Sequence, residues 1–232
     1  MINLIRDELK SAEREAKYKK FQERLACSNY PLEGIRTAVM RECAKKIAKQ
    51  IEINQVIGVK PVTFEELSVI GLIIAYHPCS IQDKFAAIDY FISINDNWAA
   101  NDTVITTLKN KSENYFNYLI NMVNDGGWRA RYAITSLLWN FLDKEHLDTI
   151  FERLYKINYG EHYVDTAVSW FLSKAYPKFK NEVEEFFESA PLNKFVLKTT
   201  VFKIKDIAGL SKQEKERMED ILKDVLCKRE MF

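Results

Sequence analysis

The sequence predicts an all-α protein, an α-solenoid in which antiparallel helix pairs stack one on the next. Three observations carry this. The 7 Gly and 5 Pro, apart from Gly71, stand where helical patterns break. Between the breaks, segments of about 12–20 residues repeat apolar side chains at helical spacing, as Ile134, Leu137, Leu138 and Phe141 do. Pairs begin near residues 97, 128, 161 and 192, a repeat of roughly 31–33 residues, as expected of units that bury their faces on their neighbours.

Taken in order, helices are expected near 3–26, 37–52, 63–76, 81–94, 97–109, 112–124, 128–142, 145–158, 161–176, 179–188, 192–205 and 211–229. Thr63 with Glu66 and Ser211 with Glu214 have capping-box spacing, in which hydroxyl and carboxylate satisfy each other's orphan amides; Ser80 with Asp83 is a weaker version. The segment Leu67–Tyr76 (LSVIGLIIAY) is apolar nearly all round and is expected to be buried, with Gly71 letting a neighbouring helix approach closely. Tetratricopeptide and ankyrin consensus residues are absent. That leaves a degenerate HEAT-like stack, curved with a concave groove, forming a single domain over 1–232.

The 232 residues are 47% hydrophobic and 29% charged, with a formal net charge of +1, an ordinary globular composition. Residues 1–60 hold 13 Lys/Arg against 8 Asp/Glu, an excess of +5; residues 61–130 hold 4 against 8. Any polyanion-binding face must therefore come from placement rather than total charge. No apolar run approaches the roughly 20 residues needed to span a bilayer, and the charged start has no signal-peptide core. The cysteines (27, 43, 79, 227) and histidines (77, 146, 162) are scattered, so no metal site is expected and a reduced cytoplasmic setting is.

The stretch NDNWAAND places Trp98 and Asp102 four residues apart, on one face of a helix. They lie on the first helix of one pair. Arg131 opens the first helix of the next, Trp170 sits inside the third, and Lys194, Lys198 and Lys205 form a stripe on the fourth. On a curved stack these residues would share one groove. The plainer reading is that helical tryptophans are usually packing residues, which Trp128 and Trp139 fit, and that lysine stripes are usually solvated. Residues alone lead to a helical repeat protein with a ligand groove.

At these positions the chain resembles the bacterial DNA alkylation repair family, the AlkD-like HEAT-repeat DNA glycosylases. The resemblance is carried by DNWAAND, GWRARYAI, YVDTAVSWFLSKAY, APLNKFVLK and the N-terminal GIRTAVMRECAKKIAK, which together cover about residues 30–205. It implies catalytic roles for Trp98, Asp102, Arg131 and Trp170, and excision of cationic N-alkylated purines of the 3-methyladenine or 7-methylguanine type. The partner would be duplex DNA containing alkylated bases, bound by a monomer without cofactor or metal. Lys194, Lys198, Lys205, Arg36 and Arg41, with Lys45 and Lys46, would contact the DNA backbone. Two other readings stay open: a non-catalytic HEAT-like protein that binds distorted or branched DNA, and a protein-interaction scaffold.

Overall fold

The computed structural model describes residues 1–230, and among them there is no strand. The helices are α1 (Ile2–Lys10), α2 (Ala16–Ala26), α3 (Thr37–Ile47), α4 (Phe64–Tyr76), α5 (Ile81–Ile94), α6 (Trp98–Thr107), α7 (Glu113–Met122), α8 (Gly127–Asn140), α9 (Lys144–Tyr155), α10 (His162–Ala175), α11 (Lys180–Ser189), α12 (Lys194–Lys205) and α13 (Lys212–Glu230), with a 3-10 turn at Ile53–Val56. The chain is all-α, with the pair-on-pair packing of an α-solenoid. It divides into two compact units, residues 1–115 and 116–232.

In unit 1, α4 is the central helix. Eleven of its residues, Phe64 to Ile74, are buried, as expected of a helix without a polar face. It packs against α1, α3, α5 and α6. The role of Gly71 is direct: a Cβ there would stand 2.3 Å from Val104 Cγ2 on α6 and 2.7 Å from Phe91 Cε2 on α5. The entry to α4 is capped by Thr63, whose hydroxyl accepts the Glu66 N–H at 3.2 Å. The reciprocal half of the box is displaced by one residue, because the Glu66 carboxylate takes the Val62 N–H (2.7 Å) and the Arg6 guanidinium (2.7 Å) instead.

Two expected helices are shorter than the sequence pattern. The segment 3–26 is two helices, with α1 docked on α3 and α4. No Gly or Pro breaks it. The break is made by tertiary contacts, in which the Glu15 N–H donates to the Gly34 carbonyl (3.1 Å) and the Glu15 carboxylate takes a fork from Arg36 (2.6 Å each). Gly34 has φ +86°, and a Cβ would meet Glu15 and Lys19 at 2.8 Å; glycine is what allows this approach. Helix α3 ends at Ile47, where the Ala48 and Gln50 amides close a final tight turn.

Unit 2 is more regular. Helix α8 packs on α10, and α10 on α12, while α13 covers α11 and α12. This rank of alternate helices buries Ile134, Leu137, Val168, Phe171, Leu197 and Val201. Repeat joints are tied by polar side chains. The buried Asp165 accepts the Asn193 amide (2.7 Å) and the Gly160 N–H (3.2 Å), and Asn193 in turn caps α12 through the Val196 N–H (2.8 Å). The full Ser211–Glu214 capping box forms. Among the described residues no helix is long and apolar enough to cross a membrane.

Candidate nucleic-acid site

The motif NDNWAAND folds from its ends inward. Asn97 is the N-cap of α6, accepting the Ala100 N–H at 2.8 Å. Asp96 accepts the Ser28 hydroxyl (2.8 Å), the Asn29 N–H and the Asn97 amide, tying the chain after α2 to the start of α6. These residues set the phase of the helix, and with it the direction of Trp98 and Asp102.

Trp98, Asp102 and Thr106 then line one side of a cleft of about 310 Å³. Helix α2 forms the other side with Tyr18, Phe21, Gln22 and Leu25, and Met40 and Phe64 contribute from α3 and α4. The Trp98 indole N–H donates to the Leu25 carbonyl at 2.7 Å. That carbonyl lies in the last turn of α2, so the bond both orients the ring and satisfies a helix end. The Asn101 amide donates to the Asp102 carboxylate at 3.0 Å. The cleft is thus mostly apolar, with a carboxylate at one wall.

The other two members of the expected quartet lie in unit 2. Arg131 is only 3% exposed. One guanidinium N–H donates to the Tyr163 carbonyl (3.0 Å), and the group lies 5.9 Å from the Tyr163 ring centroid. Trp170 is half-buried and meets Trp139 edge to face, with centroids 6.1 Å apart. Trp139 is 43% exposed and Trp128 half-buried, so both pack against a neighbouring ring at the surface rather than in the core. They are 11 residues apart, three turns of the same helix face, and that face is not the one carrying Ile134 and Leu137.

The expected backbone contacts divide into two kinds. Arg36 pairs with Glu15, Lys45 with Glu42, Lys46 with Glu8 and Lys205 with Glu219. Arg41 donates to the hydroxyls of Tyr76 (3.2 Å) and Thr107 (2.6 Å). Lys194 and Lys198 are exposed on α12. The hydrogen bond to Glu15, helped by its charge, raises the Arg36 guanidinium pKa, and the same bond lowers that of Glu15.

Sequence reasoning missed two features. Glu65 is fully buried, and its carboxylate takes the backbone amides of Glu33 (3.0 Å), Gly34 (2.8 Å) and Ile35 (3.3 Å). It holds the turn that starts α3, and so places Arg36 and Arg41. In sequence it looks like any acidic residue in a first helical turn. The second is an aromatic run at the starts of α8, α10 and α12: Trp128 stacks on Tyr163 (4.8 Å, 29°), His162 meets Tyr163 (5.2 Å), and His162 meets Phe195 (5.4 Å). Its signal was the recurrence of aromatics just inside successive first helices. Among the described residues no group of three or more His, Cys, Asp or Glu is placed to hold a metal ion.

No curated protein matches the chain. The family model described as DNA alkylation repair enzyme matches residues 5–204, which takes in both units up to the end of α12 and every residue of the expected quartet. The chain therefore belongs to the DNA alkylation repair enzyme family.

Proposed function

We propose that the protein is a monofunctional DNA glycosylase that excises cationic N-alkylated purines from duplex DNA. The observation that carries this reading is the pairing of Trp98 and Asp102 on one open cleft wall of α6. An N3- or N7-alkylated purine bears a positive charge and leaves readily. The bond between C1′ and N9 breaks, its electron pair departs with the now neutral purine, and positive charge develops on the deoxyribose. The Asp102 carboxylate stabilises that oxocarbenium and orients a water, whose oxygen bonds to C1′ and whose proton passes to the carboxylate or to solvent. The indole face of Trp98, beside Asp102, favours the cationic nucleotide by about 0.5–2 kcal/mol, and Trp170 offers unit 2 a second ring of the same kind.

Arg131 supplies a permanent positive charge for a phosphate. Lys194, Lys198, Lys205, Arg36 and Arg41 add contacts to the DNA backbone. For Arg36 and Lys205 the phosphate replaces a surface carboxylate partner, and exposed pairs of that kind are worth only about 0–1 kcal/mol. The reaction consumes water alone. On this reading one chain acts per lesion, as a monomer.

The test is release of free base from a duplex containing N7-methylguanine. Asp102→Asn, which keeps the size of the side chain and removes its charge, is expected to slow release by roughly 100-fold or more. Undiminished release by this variant would remove Asp102 from the chemistry. Tight binding of a branched duplex without release by the wild type would favour the non-catalytic reading.

A further inference from the structure

The four rings Trp128, Tyr163, His162 and Phe195 run side by side across the first turns of α8, α10 and α12, with neighbouring centroids 4.8, 5.2 and 5.4 Å apart. These contacts place the three helix starts along one edge of unit 2. The run is not core. His162 is exposed and Phe195 is 41% exposed, whereas the core beneath is made by Val164, Val168 and Val196. Phe195 also has a cation on either side of it in sequence, Lys194 and Lys198, both exposed. Being four apart, the two lysines share a face of α12. Phe202, 67% exposed, continues that outward side two turns further along. Of the carboxylates at this edge, Asp125 pairs with Arg129 (2.8 Å) and Glu161 accepts the Gly127 N–H (2.8 Å).

Exposed rings interleaved with lysines suit one ligand chemistry above others. Each base of an unpaired strand offers an open π-face to a ring, while its phosphates meet the cations. Bases inside a duplex are covered on both faces by their neighbours and cannot stack in this way. We propose that this edge of unit 2 is a stacking platform for unpaired DNA nucleotides, with Phe195 as the accessible ring and Lys194 and Lys198 on the flanking phosphates. The proposal rests on DNA being the partner, and not on base excision.

The experiment measures binding of the full chain to three fluorescein-labelled probes: an oligothymidylate of about 12 nucleotides, an abasic strand of equal length, and a blunt duplex. Wild type, Phe195→Ala and Phe195→Tyr are compared. Oligothymidylate is expected to bind the wild type at least about fivefold tighter than the abasic strand. Its affinity should drop about tenfold in Phe195→Ala and stay within about twofold in Phe195→Tyr, with duplex affinity held within about twofold throughout. The platform is overturned if the abasic strand binds as well as oligothymidylate, if Phe195→Ala loses nothing, or if it loses equally on the duplex. Duplex binding without single-strand binding removes the platform and leaves the DNA repair reading intact, whereas no binding to any probe removes both.

Discussion

In unit 1 the candidate tryptophan is half-buried and fixed by a hydrogen bond. Trp98 gives its N–H to the end of α2 and shares a cleft wall with Asp102. In unit 2 the candidate tryptophan is open on one side: Trp170 touches Trp139 edge to face, and both remain partly exposed. The scaffolds differ in the same sense. Unit 1 depends on single buried contacts, above all the Glu65 clamp and the close approach at Gly71. Unit 2 repeats one joint, α8 on α10 and α10 on α12, so the same face recurs and carries a row of aromatic and basic residues. The lesson is that singular contacts fix one side chain in one direction, while a repeated joint presents the same face again and again.

This contrast breaks most readily at Asp102. The loss of roughly 100-fold in base release expected for Asp102→Asn corresponds to about 2.7 kcal/mol. It should occur without a matching loss of folding stability, and a parallel loss would make Asp102 a scaffold residue. A comparable free energy, but in stability, is expected for Glu65→Ala. That change leaves three backbone amides, those of Gly34 and Ile35 buried, without their acceptor and should cost about 3 kcal/mol. Calorimetry should then show Tm lowered by roughly 6–12 °C; a shift under about 2 °C would mean that unit 1 does not depend on the clamp.

Gly71→Ala is expected to cost about 1–3 kcal/mol, because the new methyl must displace Val104 and Phe91 and overpacking outweighs the better helix propensity of alanine. Denaturant unfolding measures it, and a stabilised variant would show that α5 and α6 can give way. The smallest effect is expected in unit 2, at the α13 cap. The Lys180 ammonium, with the Ser211 amide and hydroxyl, holds the Glu214 carboxyl down at about 2 from an ordinary 4.5. A lowered carboxyl stabilises the fold above its ordinary value, and that contribution fades as pH falls from 4.5 towards 2. Glu214→Gln should lower stability slightly near neutrality and flatten the profile in that window, so that variant and wild type converge towards pH 2; an unchanged acid limb would detach Glu214 from the stability of α13.

The extent to which the sequence was legible follows the same division. From residue 63 onward the expected helices agree with the structure to within about three residues, because caps such as Thr63, Asn97, Asn193 and Ser211 act locally. Before residue 63 the expectation fails at 48–52, beyond the end of α3, and at 11–15, where the helix is broken by Gly34 and Arg36, 19 and 21 residues from Glu15. In the site, the shared face of Trp98 and Asp102 was readable from a spacing of four. The cleft was not, since its opposite wall comes from α2, and helical periodicity says nothing about which helix a face will meet. The exposure of Trp139 was hidden for a related reason, because composition favours a buried tryptophan and only packing decides.

The order of residues by itself determined the all-helical class, the two-helix repeat, the buried character of α4 and membership in a DNA alkylation repair family, since each is written in local spacing and motif order. The tertiary structure decided what lies against what. It set α2 over Asp102, spent Arg36 and Lys205 on carboxylates, drew Arg131 beneath Tyr163, and lined up Trp128, Tyr163, His162 and Phe195 on one edge. These outcomes depend on contacts between residues distant in the chain, whose free energies are settled only once the helices pack.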